Sequence, residues 1–135
     1  MIVDTSALLA YFDRLEPDHA AVAGALEGST EPLVVSPYVI AEVDYLVATR
    51  HGIDAELAAL AELAGGAWEL ASFDASELAD ARGLIERYAD QSIGVADASM
   101  VVLANRYRTT TIVTLDHRHF EVVRPFGGGR FTVLP

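Results

Sequence analysis

The chain reads as an α/β protein built on a parallel sheet, and three observations predict this. Short β-branched runs alternate with longer helix-like segments along the whole sequence, the pattern of strands joined by helical crossovers. The 135 residues suffice for one domain with a core and are too few for two ordinary ones, so 1–135 is read as one domain. Hydrophobic residues make up 52% of the chain, well away from the composition of a disordered one.

The elements follow in order. Ile2-Val3 is a β-branched pair read as the first strand, followed by Asp4-Thr5-Ser6 and an apolar helical segment from Ala7 to Phe12. Pro17-Asp18 opens a second helix that runs to about Glu27 and stops at Gly28. Leu33 to Val35 is a buried strand. Ser36-Pro37 then starts a helix to His51, with Ser as N-cap and Pro at the first helical position, and Gly52 ends it. Asp54 caps the next helix, which stops at Gly65-Gly66. Trp68 to Phe73 reads as a strand, and Asp74 caps a long helix ending near Ala89. Val95 to Tyr107 is a helix, Thr111 to Leu115 a strand, and Phe131 to Leu134 a closing strand after the Gly127-Gly128-Gly129 turn. No internal repeat or long linker divides the chain.

Composition excludes several classes. No run approaches the roughly 20 apolar residues that span a bilayer, so no membrane association is expected. The start, Met-Ile-Val-Asp, lacks the basic region of a signal peptide. With no cysteine there is neither a disulfide framework nor a thiolate metal site, and the expected location is cytoplasmic. The high apolar content points to an interface for a partner or a second copy. The amphipathic segments from Ala7 to Glu27 and from Asp54 to Leu63 are the candidate surfaces.

The formal charge is −11, from 20 acids and 9 bases, all of the bases arginine. Phosphate binding favours a positive surface, so this argues against tight nonspecific nucleic-acid binding. The distribution softens the objection: from residue 97 onward five Arg face three acids, Asp97, Asp116 and Glu121. A bound divalent ion at a carboxylate cluster would shift the local balance further.

Four acids stand out by position. Asp4 and Asp116 each directly follow a predicted strand, and ligands of open parallel sheets gather beyond the carboxyl ends of strands. Glu42 lies among Val39, Ile40, Val43 and Leu46, and Asp97 opens an otherwise apolar helix. A buried carboxylate needs a partner or an ion. Each acid alone also has a structural explanation. Asp4 and Asp116 could be N-caps, Asp97 could favour the positive helix end, and Glu42 could be a polar helix edge, as Asp44 is read. Together, in a chain without lysine, they point to a shared site.

Oxygen-only ligands select a hard cation, Mg²⁺ or Mn²⁺, and such ions act on phosphoryl groups. Phosphodiester hydrolysis by a metal-activated water is the chemistry that suits four carboxylates with no obvious nucleophile. His117 and His119 form a His-x-His pair; on an extended segment, packing is the preferred reading over Zn²⁺ ligation. Arg118 and Arg124 are candidate RNA-phosphate contacts, with a solvated surface charge as the equal alternative.

These residues also carry a family resemblance. Met-Ile-Val-Asp4-Thr5-Ser6, Val-Ile-Ala-Glu42-Val, Gly-Val-Ala-Asp97-Ala-Ser and Thr114-Leu-Asp116-His-Arg-His119-Phe resemble the successive motifs of PIN-domain nucleases, and within these the VapC toxins. The resemblance spans nearly the whole chain. It implies a three-layer α/β/α sandwich with a central parallel sheet and a Mg²⁺- or Mn²⁺-dependent endoribonuclease acting as the toxin of a toxin–antitoxin pair. It further implies a cognate VapB-like antitoxin over the site and a homodimer. Position by position, Asp4, Glu42, Asp97 and Asp116 would be the acidic cluster, with Ser6 and Thr114 as hydroxyls orienting carboxylates or water. Some family members carry a further acid before the third motif, where this chain has Ile93-Gly94-Val95, which bears on whether one metal or two would bind.

Two other classes remain open at this point. Asp4 at the end of a first strand also suits phosphotransfer of the haloacid-dehalogenase type, although Ser6 stands where a second Asp belongs and there is no lysine. The third class is a catalytically silent partner-binding module.

Overall fold

A computed structural model describes all residues, 1–135. Its strands are short: β1 (Ile2–Val3), β2 (Val34–Val35), β3 (Glu69–Leu70), β4 (Thr111–Val113) and β5 (Thr132–Leu134). They form one sheet in the order β3-β2-β1-β4-β5, and every neighbouring pair is parallel. Seven helices connect and cover them: α1 (Thr5–Phe12), α2 (His19–Glu27), α3 (Pro37–His51), α4 (Ile53–Ala64), α5 (Ala75–Arg87), α6 (Val95–Arg106) and α7 (Arg118–Val122). The result is a three-layer α/β/α arrangement around a parallel sheet. No helix is long and apolar enough to cross a membrane.

The central strands are buried, as an all-parallel sheet requires: Ile2, Val3, Val34, Val35, Ile112 and Val113 are all at most 1% exposed. They join the buried faces of α1, α3 and α6 in one core cluster of 31 residues. In α6 the seven residues from Ala98 to Ala104 are buried on every side, the mark of a helix packed inside the molecule.

Local chemistry accounts for most of the boundaries. Ser36 caps α3 by accepting from the Tyr38 amide, with Pro37 at the first helical position. Asp74 and Glu77 form a reciprocal capping box at the start of α5. Several boundaries differ from the sequence expectation; the strand expected over Thr111 to Leu115, for one, ends at Val113. Gly52 serves both as the stop of α3 and as the N-cap of α4, its φ of 84° placing it where side chains are disfavoured, so Asp54 lies inside the first turn rather than at the cap. The strand expected over Trp68 to Phe73 pairs only at Glu69–Leu70, because β3 is an edge strand with one neighbour. Residues 118–122 form α7, a one-turn helix that the short apolar spacing did not signal.

The strand order sets the position of the site. From β1 the chain winds outward to β2 and β3, then returns to the other side of β1 for β4 and β5. The crevice where this direction reverses lies beyond the carboxyl ends of β1 and β4, where ligands of such sheets bind. Asp4 follows β1, and Thr114 and Asp116 follow β4.

Candidate active site

Asp4 stands at the N-cap of α1, 8% exposed, and its carboxylate accepts three hydrogen bonds. Oδ1 accepts from the Thr5 amide at 2.7 Å. Oδ2 accepts from the Thr114 hydroxyl at 2.6 Å and the Ser6 hydroxyl at 3.0 Å. Both hydroxyls in turn accept backbone amides: Leu115 donates to Ser6 Oγ at 2.9 Å and Asp116 donates to Thr114 Oγ1 at 3.0 Å. Those amides supply the acceptor side of each hydroxyl, which leaves its single proton for Asp4. Ser6 and Thr114 thus clamp the first carboxylate to the loop that carries Asp116. Beside them Thr5 Oγ1 is buried with no hydrogen-bond partner.

Asp97 lies in the first turn of α6 and pairs with His119, Nδ1 to Oδ2 at 2.7 Å. Burial pushes the Asp97 carboxyl above its usual range and the nearby Asp4 charge adds to this, while His119 opposes it. The position of α6 is fixed by two buried serines. Ser99 donates to the Ala96 carbonyl at 2.7 Å and contacts Ser36, the cap of α3, at 2.6 Å. This link ties the helix carrying Asp97 to the helix carrying Glu42.

Glu42 departs from the expectation of a buried acid. It is solvent-exposed on α3 and makes no hydrogen bond or ion pair; Val39, Val43 and Val47 face the core while it faces out. Asp116 is held by Arg118 in a two-pronged contact, Nε to Oδ1 at 2.9 Å and a terminal nitrogen to Oδ2 at 2.6 Å. The Arg118 guanidinium lowers the Asp116 carboxyl to about 2.

All four acids line one cavity of about 570 Å³, together with Ser6, Arg50 and His119. Of the two candidate RNA contacts, Arg118 is occupied by Asp116, and Arg124 donates to the Glu121 carbonyl at 2.9 Å and lies outside the cavity lining. Asp90 sits exposed on a short 3₁₀ turn (Ala89–Gln91), and Gly94 and Val95 line the cavity in place of a further acid.

Sequence reasoning treated His119 as a packing residue on an extended segment. Helix α7 instead turns it onto Asp97. Residues 118–122 make a single helical turn, too short to leave a periodic signal in the sequence. Arg50 was not singled out at all, although it lies two helical turns beyond Glu42 on α3 and therefore near the same face.

The donor chemistry fits a hard divalent cation: four carboxylates and two hydroxyls converge on one polar pocket without sulfur. As the side chains are set, no three acidic or histidine groups are drawn together tightly enough to hold an ion. Arg118 neutralises Asp116, His119 bonds Asp97, and Glu42 faces solvent. Loading a cation would draw Asp97 and Asp116 away from these two partners.

Comparison with known proteins agrees with this architecture. The PIN domain family model matches residues 1–124. The chain is 67% identical to ribonuclease VapC26 of Mycobacterium tuberculosis over 135 residues, the full length of both. Among solved structures, the Mycobacterium tuberculosis VapC20 toxin superposes with a TM-score of 0.78 at 19% identity, covering 85% of this chain and 88% of that one. The VapBC2 complex of Rickettsia felis, solved with a DNA fragment of its promoter, gives 0.72 at 15% identity, covering 99% and 98%. The fold, the motifs and the full-length identity together place this chain in the PIN-domain family, among the VapC toxins.

Proposed function

We propose that this protein is a Mg²⁺- or Mn²⁺-dependent endoribonuclease acting as the toxin of a toxin–antitoxin pair. The observation that carries the reading is the convergence of Asp4, Glu42, Asp97 and Asp116 on one cavity at the switch point of the sheet. The relative at 67% identity is named a ribonuclease, which supports the activity, and the VapBC2 complex supports an antitoxin partner. The expected homodimer and cytoplasmic location are part of the same reading.

Asp4, Asp97 and Asp116 would hold the cation, with Glu42 at the rim. Bound there, the metal would supply the charge that activates a water and stabilises the leaving oxygen. Ser6 and Thr114 hold Oδ2 of Asp4, and the Thr5 amide holds Oδ1, before anything binds, so little rearrangement is needed at that corner. Asp97 is the acid most in need of a compensating charge, since burial and Asp4 both disfavour its ionised form. An activated water in line with the scissile phosphate needs no 2′-hydroxyl attack, so the products carry a 5′-phosphate and a free 3′-hydroxyl.

Phosphotransfer through Asp4 is the weaker reading, because Ser6 stands where such a site has a second Asp and the chain has no lysine for the phosphate. The test is cleavage of purified cellular RNA in Mg²⁺, with Asp4→Asn and a chelated sample beside the wild type. Fragments from the wild type in Mg²⁺ alone are expected. Equal cleavage by Asp4→Asn would remove the assignment.

A further inference from the structure

We infer that Arg50 supplies the phosphate contact that holds the RNA strand at the carboxylate cavity. The inference rests on the ribonuclease reading and deepens it. A polyanion approaching four carboxylates needs a compensating cation, and the two arginines expected from the sequence do not provide one. Arg118 is engaged by Asp116, and Arg124 bonds a backbone carbonyl away from the cavity.

Arg50 is the single arginine lining the acidic cavity. It forms no ion pair, whereas Arg82, Arg106 and Arg118 each hold a carboxylate. Its guanidinium makes no hydrogen bond within the chain and is solvent-exposed, so all its donors are free. Glu42, Leu46 and Arg50 succeed one another at four-residue intervals along α3, and all three line the cavity. The position is also shared. Ser6, Leu9 and Arg50 line both the acidic cavity and an adjoining groove of about 1080 Å³. A strand with its scissile phosphate at the acids would therefore pass Arg50 as it left along the groove. A neighbouring phosphate is the group a planar guanidinium matches with two parallel hydrogen bonds.

A purely structural role for Arg50 is a favourable charge at the C-terminal end of α3, which His51 would share. The two roles separate in RNA binding. The Asp4→Asn chain, which is expected to bind without cutting, is titrated against a labelled single-stranded oligoribonucleotide over a series of KCl concentrations. Adding Arg50→Gln should weaken binding about tenfold or more, the scale of a charged hydrogen-bonded contact. It should also reduce the slope of log affinity against log salt by about 0.7, the value for one phosphate of a single strand. Arg50→Lys should keep that slope and recover only part of the affinity, because lysine retains the charge but not the fork.

In the cutting enzyme, Arg50→Gln should act mainly on KM, with kcat retained. Arg82→Gln, exposed on α5 and outside the lining of both the cavity and the groove, is the control and should change neither constant. An unchanged affinity and salt slope in Arg50→Gln, beside an Asp4→Asn chain that binds RNA, overturns the inference alone. A wild type that neither binds nor cuts RNA overturns the ribonuclease reading and this inference with it.

Discussion

Asp4 and Asp116 follow neighbouring strands and face the same cavity, but their surroundings differ. Asp4 is 8% exposed and accepts from one amide and two hydroxyls, themselves fixed by backbone donors. Asp116 has a side chain 42% exposed, held by an Arg118 side chain that is 80% exposed. Removing a buried, fully bonded carboxylate leaves several polar groups unpaired, while an exposed ion pair adds little. One corner of the site is therefore built in advance, and the other is adjustable. Glu42, exposed and without a partner, belongs with the adjustable side.

The comparison can be broken most readily at the fixed corner. Asp4→Asn keeps the shape and removes the charge. It should lower cleavage by several kcal/mol of transition-state stabilisation, on the order of a thousandfold, with the fold retained by circular dichroism. Thr114→Val should come next. It strips a hydroxyl that donates to Asp4 and accepts from the Asp116 amide, and should cost about 1–3 kcal/mol in denaturant unfolding together with much of the activity. A Thr114→Val chain as stable as the wild type would show that the clamp contributes nothing.

Smaller effects sharpen the contrast. The Asp97 carboxyl has a raised pKa in the fold, so its stabilising contribution is complete below the unfolded value and is lost as pH rises through the folded value. Above that folded value the charged, metal-free site opposes folding. Asp97→Asn should raise the melting temperature in chelator while removing the further rise expected of the wild type in millimolar Mg²⁺. A drop in chelator would mean that the His119 contact outweighs burial.

Asp116 has the opposite sign. With its carboxyl lowered to about 2, its contribution is present above the usual carboxylate range and is lost as the pH falls toward 2. Arg118→Gln should abolish that acid-side component with only a slight change at neutral pH, since the pair is exposed. Asp44→Asn should be silent in cleavage because Asp44 does not line the cavity. It should stabilise slightly, because Asp44 beside Glu56 pushes the Glu56 carboxyl up and the substitution relieves that contact between two acids.

The residues that sequence reasoning reached are those whose position follows from a strand end or a helix cap, and the acids Glu42 and Asp97 set within apolar helical segments. Asp4 and Asp116 follow β-branched runs, and in a parallel sheet that places them at one edge. The capping signals at Ser36 and Asp74 likewise marked real helix starts. What escaped was set by long-range packing. The Ser36–Ser99 contact spans 63 residues and aligns α3 with α6, and no local pattern encodes it. Helix α7 is a single turn, too short for periodicity, so the placement of His119 on Asp97 and Arg118 on Asp116 could not be anticipated. Arg50 was missed because an exposed arginine near a helix end already has an ordinary explanation.

The most direct test of the central claim is the chemistry of the cut ends. RNA cleaved by the wild type in Mg²⁺ should carry 5′-phosphates and free 3′-hydroxyls, and chelation or Asp4→Asn should leave the RNA intact. Products ending in 2′,3′-cyclic phosphate, formed equally in chelator, would contradict the account, because such cleavage needs neither the four carboxylates nor a cation between them.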